Sequence, residues 1–260
     1  MLKEKVAIIT GSTSGIGYGI AKTLAEKGCS IILNGLGNPQ EIELNRAALS
    51  SQYGVKVGFH PADLTKPAEI ATLFQYVLNE FTQLHIIVNN AGVQHTSPIE
   101  SFPDEKWDQI LALMLTAPFQ LIKQGLPHLR KSGWGRIINI ASVHGLVASL
   151  HKAAYVSAKH GLVGLTKVVA LETAGSGITC NAICPGFVRT PLIEEQIRAL
   201  AESRSISLEL AAASLIEAKQ PSKQFVESDQ VGALALFLCT DAAASITGSA
   251  LPIDGGWTCQ

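Results

Sequence analysis

Val6-Ala7-Ile8-Ile9-Thr10-Gly11-Ser12-Thr13-Ser14-Gly15-Ile16-Gly17 reads as a strand, a glycine turn and the start of a helix. A continuous run rich in Val and Ile is how a strand covered on both faces of a parallel sheet reads. The glycines follow in the spacing G-x-x-x-G-x-G, one residue longer than the common dinucleotide fingerprint. Glycine removes Cβ where a turn is tight and where backbone must approach a phosphate. The helix that follows presents free N–H groups and a partial positive charge at its start. Alone, such a loop is often just a turn. Between the first strand and first helix of a parallel sheet it points to a nucleotide phosphate.

Working outward, short apolar runs recur at 6–10, 30–34, 55–60, 85–89, 136–140, 178–183 and 250–253. Longer stretches with helical apolar spacing lie between them, at 16–27, 68–80, 104–129, 153–171 and 230–239. This alternation predicts the α/β class: a Rossmann-like, doubly wound parallel sheet with right-handed crossovers, forming a single domain over residues 1–260. Residues 190–225 break the rhythm, with Glu194, Glu195, Arg198, Glu202, Arg204, Glu209, Glu217 and Lys219 set among Ala and Leu. That pattern predicts an amphipathic helical insertion. It follows a strand whose carboxyl end is a ligand-binding edge, so a small lid is expected there, with a surface or oligomer helix as the equal alternative.

Composition narrows the partners. The 260 residues are 47% apolar and 16% charged, which excludes a disordered chain lacking the apolar surface to offset ordering entropy. Lys and Arg number 20 against 21 Asp and Glu, a net charge of −1 without a basic run. Nothing in that balance is a footprint for nucleic acid, and a small molecule is the expected partner. The five cysteines include no C-x-x-C pair and no adjacent His cluster, so neither a bound metal nor a disulfide framework is expected. They read as small buried hydrophobes of a reducing compartment. The N-terminus lacks the pattern of a signal peptide and no apolar stretch is long enough to span a bilayer. A cytoplasmic location, away from membranes, is therefore expected.

Further motifs lie downstream. Asn89-Asn90-Ala91-Gly92 closes the fourth strand, either facing a cofactor or simply forming an Asn-rich turn. Ser142 precedes Tyr155 by thirteen residues, and Tyr155 and Lys159 form Y-x-x-x-K; Pro185-Gly186 and Asp254-Gly255-Gly256 follow. In this order and spacing, the set resembles the short-chain dehydrogenase/reductase family along essentially the whole chain. The resemblance implies an oxidoreductase with Ser142, Tyr155 and Lys159 as catalytic residues. It implies a dinucleotide held by Gly11, Thr13, Ser14, Gly15, Ile16, Gly17, Leu36, Asp63, Leu64, Asn90, Ala91, Gly92, Tyr155, Lys159, Pro185, Val188 and Thr190. Asp63 reads equally as part of a helix N-cap region before Pro67. Homotetramers are usual in the family.

The chemistry of those residues is intelligible by itself. Tyr155 and Lys159, four apart on a helix, share a face. A free phenol titrates near ~10, too high for a base at neutral pH. A neighbouring ammonium, together with the positive nicotinamide ring, is expected to lower it, so that Tyr155 takes the proton of a substrate hydroxyl while Ser142 fixes the reacting oxygen. The second strand ends Leu33-Asn34-Gly35-Leu36, with neither the Arg or Lys that would pair a 2′-phosphate nor the acid that usually holds a free 2′-hydroxyl; with nothing to pair the phosphate, NAD is favoured over NADP. One departure stands out. Where the family usually has an Asn, thought to hold a water linking the Lys to solvent, this chain has Met114. A thioether donates nothing and accepts weakly.

Gln94, His144, Lys152 and Gln196 lie beside these motifs, and a Lys with His and two amides suits a small carboxylate. The stretches around Gln94, Ser142, Thr190 and Trp257 are similar to the branch of the family that acts on 3-hydroxy acids. The resemblance implies reversible oxidation of (R)-3-hydroxybutyrate to acetoacetate. Substrate is then held by Gln94, Ser142, His144, Lys152, Tyr155, Gln196 and Trp257, the last also readable as a buried anchor. The alternatives are a 3-oxoacyl thioester reductase of the same family, or a weakly active cofactor-binding sensor.

Overall fold

The computed structural model describes residues 1–259. Its strands are β1 (Val6–Ile9), β2 (Ser30–Asn34), β3 (Val57–His60), β4 (Ile86–Asn89), β5 (Gly135–Ile140), β6 (Ile178–Pro185) and β7 (Ala250–Ile253). They form one sheet in the order β3-β2-β1-β4-β5-β6-β7, every pair parallel. Strand order reverses between β1 and β4. In an open sheet of this kind the loops diverge there and leave a crevice at the carboxyl edge.

Both faces of the sheet are covered, which explains the unbroken apolar strands. Ala7 and Ile9 of β1, with Ile31 and Leu33 of β2, pack under α1 (Gly15–Glu26) and α9 (Ser228–Leu238). Ile8, Ile32, Ile87 and Ile137 point the other way, against α3 (Pro67–Phe81), α5 (Ala117–Ser132) and α6 (Ala153–Glu172). A one-residue slip of any of these strands would exchange the two layers.

Two features depart from the expected pattern, and the insertion at 190–225 is helical as expected. An additional helix, α2 (Pro39–Tyr53), crosses between β2 and β3 and buries only Ile42 and Leu49. Its apolar stripe is too thin for periodicity to reveal, but its ends are marked. The Asn38 side chain accepts from the Gln40 and Glu41 amides, Pro39 opens the helix, and Gly54 closes it at φ 64°. The expected helix at 104–129 is interrupted: α4 (Asp104–Leu111) passes through a π-helical segment, Ala112–Thr116, into α5. The region 190–225 contains α7 (Pro191–Arg204) and α8 (Leu208–Glu217). A parallel bridge between Val188 and Val226 ties its two ends together. Ile193, Ile197 and Ala201 of α7 pack with Ala211 of α8 against Phe187, Val143 and Trp257, a small apolar cluster separate from the two main layers.

No helix among the described residues is long and apolar enough to cross a membrane.

Candidate active site

A cleft of about 770 Å³ opens at the carboxyl edge of the sheet, over the β1–β4 reversal. At one end lies the glycine loop. Asn90 anchors it: its Nδ2 donates to the Thr10 and Gly11 carbonyls, both at 2.9 Å. Thr10 Oγ1 in return accepts from the Asn90 and Ala91 amides at 2.9 and 3.0 Å. Thus N-N-A-G and the glycine loop, eighty residues apart, form one rigid wall. Gly11 (φ 60°) could not carry a side chain, because a Cβ would sit 2.7 Å from the Ala91 Cα.

Of the expected nucleotide-binding residues, Gly11, Thr13, Ser14, Gly15 and Ile16 line the cleft, as do Leu36, Asp63, Leu64, Asn90, Ala91 and Gly92. Tyr155, Lys159, Pro185, Val188 and Thr190 line it too. Gly17 does not. A Cβ on Gly17 would fall 2.4 Å from the Gly11 carbonyl oxygen, so this glycine lets α1 approach the loop and touches nothing in the cleft. The Asp63 carboxylate lines the cleft but is already engaged. Its Oδ1 accepts from the Thr65 amide and hydroxyl, and its Oδ2 lies 3.3 Å from Lys66 Nζ. These contacts hold its pKa below the ordinary value, the Thr65 hydroxyl most of all.

The loop residues fit a dinucleotide on physical grounds. The N-cap residue of α1, Ser14, makes no side-chain cap bond, and the first turn has no acidic residue. By contrast α2 is capped by Asn38, and α9 by a reciprocal Glu227–Gln230 pair with Asp229 in its first turn. The N–H groups of α1 therefore face the cleft without a protein counter-charge, where a pyrophosphate is best held.

At the other end, β5 and α6 bring together the residues of the chemistry. Ser142 stands two residues past the end of β5, and Tyr155 and Lys159 project from the first turns of α6. The position of α6 is fixed from below by a buried polar chain. Asn89 Nδ2 donates to Asn139 Oδ1 (2.7 Å), and Asn139 Nδ2 donates to Thr166 Oγ1 (2.8 Å). Lys159 Nζ, 4% exposed, donates to the Ile140 carbonyl at 2.6 Å and stands 5.7 Å from the Tyr155 ring centre.

The electrostatics correct one expectation. In the protein alone Lys159 does not lower the phenol. Burial raises Tyr155 above its ordinary value, and a hydrogen bond with Ser142 only partly offsets it. Burial also pushes the Lys159 ammonium down to about 8. Both groups resist charge for the same reason: each must leave water for a low-dielectric pocket.

Beyond Ser142, a 3-10 turn at Val143–Gly145 places His144 between Tyr155 and Trp257, edge-on to both, at 5.8 and 5.4 Å between ring centres. Trp257 in turn lies against Phe187, tilted by 40° with ring centres 4.9 Å apart. Burial, reinforced by the charges of Lys152 and Lys219, pushes the His144 imidazole down to about 4. Its Nε2 lies 2.8 Å from Ser149 Oγ and its Nδ1 3.4 Å from Ser142 Oγ. Both nitrogens thus already have hydroxyl partners, which the sequence reading of His144 as a carboxylate ligand did not foresee. Lys152 lines the cleft, its pKa lowered by burial and then by Lys219. Gln196 of α7 donates to Gln94 Oε1 at 3.2 Å, while Gln94 Nε2 is buried without a hydrogen-bond partner among the described residues. All seven expected substrate residues, Gln94, Ser142, His144, Lys152, Tyr155, Gln196 and Trp257, line this one cleft.

Sequence reasoning missed Ser149, which carries no motif, and Lys219, near the end of α8, whose charge acts on both His144 and Lys152. Met114 lies in the π segment, 1% exposed, on the cleft wall against Gly92.

Comparison with known proteins agrees with this architecture. A family model described as Enoyl-(Acyl carrier protein) reductase matches residues 11–258. The D-beta-hydroxybutyrate dehydrogenase of Cupriavidus necator is 51% identical over 260 residues, covering all of both chains. The enzyme of that name from Rhizobium meliloti is 52% identical over 256 residues, covering 98% of this chain and 99% of its own. Among solved structures, L-sorbose reductase from Gluconobacter frateurii, complexed with NADPH and L-sorbose, superposes with a TM-score of 0.94 at 29% identity, covering 98% of this chain and 97% of its own.

Proposed function

The chain belongs to the short-chain dehydrogenase/reductase family, and from that premise we propose that it interconverts (R)-3-hydroxybutyrate and acetoacetate with NAD. The observation that carries the substrate assignment is the Gln94 end of the cleft. There an unpartnered buried amide lies in the same cleft as Lys152, Ser142 and Tyr155. A buried donor without a partner costs free energy, which an acceptor-rich carboxylate recovers by binding there. Similarity to two hydroxybutyrate dehydrogenases over the full chain supports the same reading.

In this reading Tyr155 removes the hydroxyl proton of the substrate and returns it in the reverse direction. Ser142 hydrogen bonds to the reacting oxygen and holds it near the phenol. Lys159, held by the Ile140 carbonyl, places its positive charge beside the site where phenolate forms. Gln94 and Lys152 orient the carboxylate, and Trp257 with Phe187 encloses the apolar part of the substrate. Bound in the cleft, an oxidised nicotinamide supplies the hydride acceptor and a fixed positive charge that favours the phenolate.

NAD is preferred over NADP because the residues after β2 that line the cleft, Gly35 and Leu36, offer no cation for a 2′-phosphate. Arg46, on α2, pairs with Glu43 and the Val57 carbonyl. The helices α7 and α8 act as a lid, held to the body through Gln196 and Gln94. The assembly is a cytoplasmic homotetramer. The test is NADH formation with (R)-3-hydroxybutyrate, run beside the (S) enantiomer, NADP and a 3-oxoacyl thioester with NADPH. Faster turnover of the thioester, or none of the hydroxy acid, would replace this reading with the reductase or sensor alternative.

A further inference from the structure

Ser142 has one hydroxyl proton, and the arrangement around it decides where that proton points. Its Oγ accepts from the His144 backbone amide at 3.2 Å, which occupies one lone pair. The second neighbour is His144 Nδ1 at 3.4 Å. If Nδ1 is bare, it takes the Ser142 proton and leaves no donor for the reacting oxygen. If Nδ1 carries a proton, it fills the second lone pair of Ser142 and frees the hydroxyl to donate toward substrate and Tyr155. A neutral imidazole protonated on Nδ1 needs a donor at Nε2. Ser149 Oγ stands there at 2.8 Å.

We propose that Ser149 is a positioning residue: by donating to His144 Nε2 it selects the Nδ1–H tautomer, and so keeps Ser142 a donor to the reacting oxygen. The inference rests on Ser142 acting as proposed above. The ring cannot exchange its two nitrogens by turning over, since it is 3% exposed and wedged edge-on between Tyr155 and Trp257. The charges facing it, Lys152, Lys219 and His160, are all basic and disfavour a protonated ring that would donate from both nitrogens. Ser149 itself is half-buried on the turn before α6, so its hydroxyl reaches the imidazole from the outer side. This is the orienting logic of a nucleophile–histidine–third-group arrangement, with a hydroxyl in the third place and a proton donor, not a nucleophile, as its product.

The test pairs Ser149→Ala with Ser149→Thr, which keeps the hydroxyl. Nitrogen-15 NMR of the His-labelled protein reads the tautomer without any substrate. The wild type and Ser149→Thr are expected to show His144 as Nδ1–H, and Ser149→Ala to shift it toward Nε2–H. In steady-state assays kcat of Ser149→Ala should fall about tenfold on both the hydroxy acid and a neutral secondary alcohol, with KM for the acid within about twofold. Ser149→Thr should restore it. An Nε2–H ring in the wild type, an unchanged tautomer in Ser149→Ala, or a loss confined to KM for the acid would overturn the proposal. Failure of the wild type to oxidise hydroxybutyrate would instead overturn the substrate reading and leave the tautomer measurement standing.

Discussion

Lys152 and Met114 test separate halves of the site. Lys152 lies at the N-cap of α6, and a charge-assisted bond to a partly buried carboxylate is worth about 1.5–3 kcal/mol. Lys152→Ala should therefore raise KM for 3-hydroxybutyrate by roughly 10- to 100-fold while changing a neutral secondary alcohol far less. Equal losses on both substrates would remove the carboxylate assignment. Met114 places a thioether where the family resemblance implies an amide-bound water. Among the described residues the Lys159 ammonium donates to one backbone carbonyl, that of Ile140. Met114→Asn should raise turnover by giving the ammonium a hydrated polar neighbour. If the pH–rate profile and kcat both stay unchanged, Lys159 does not exchange protons through that side of the cleft. The pKa directions give the profile its expected shape. Burial holds the Lys159 ammonium down to about 8, so turnover that depends on its charge should fall as pH rises through that range, whereas His144, held down to about 4, stays neutral near pH 7. A profile flat across about 7 to 9 would separate Lys159 from the proton transfer.

At the scale of elements, α6 carries Tyr155 and Lys159, and its seat on the sheet depends on Asn139. This fully buried side chain links Asn89 of β4 to Thr166 of α6. Asn139→Leu would leave the Asn89 amide without its acceptor, at about 1–3 kcal/mol, while the Thr166 hydroxyl keeps its bond to the Leu162 carbonyl. Thermal or denaturant unfolding should show a loss of that order, and a loss under about 0.5 kcal/mol would mean that apolar packing alone seats the helix. The pair α7–α8 behaves differently because its apolar cluster is its own. Ile197, 1% exposed, packs there with Phe187 and Trp257. Ile197→Ala should loosen the lid locally, raising KM and the rate of proteolytic nicking within 190–225 more than it lowers the midpoint of global unfolding. A matching fall in global stability, with KM unchanged, would make these helices part of the main core instead. The π segment is the third element of interest: a register change within a long helix places Met114 on the cleft wall, a frequent use of such bulges at functional sites.

For the whole molecule, the outer surfaces of the long helices remain apolar in places. Phe119 on α5, and Val168 and Leu171 on α6, are 46%, 52% and 79% exposed. The proposed homotetramer would bury such side chains, and sedimentation equilibrium should then give close to four times 27.5 kDa. Phe119→Glu combined with Val168→Glu should shift the mass to smaller species; a wild-type monomer at micromolar concentration would refute the assembly.

What the sequence alone determined is whatever local periodicity and spacing encode. Unbroken Val and Ile runs announced buried parallel strands, and G-x-x-x-G-x-G after the first of them announced the phosphate end. The thirteen-residue step from Ser142 to Tyr155, followed by Lys159, announced the chemistry by resemblance. Helix α2 went unread, since two buried residues in fifteen leave no stripe and only its caps mark it in the sequence. The rest needed the tertiary structure, because it depends on distances between groups that are far apart in the chain or that carry no pattern. The bond from Gln196 to Gln94, the Asn90 clamp on the glycine loop and the link between Ser149 and His144 are of that kind. So is the phenol of Tyr155: spacing on a helix places an ammonium nearby, but burial, a property of the packed molecule, decides in which direction its acidity moves.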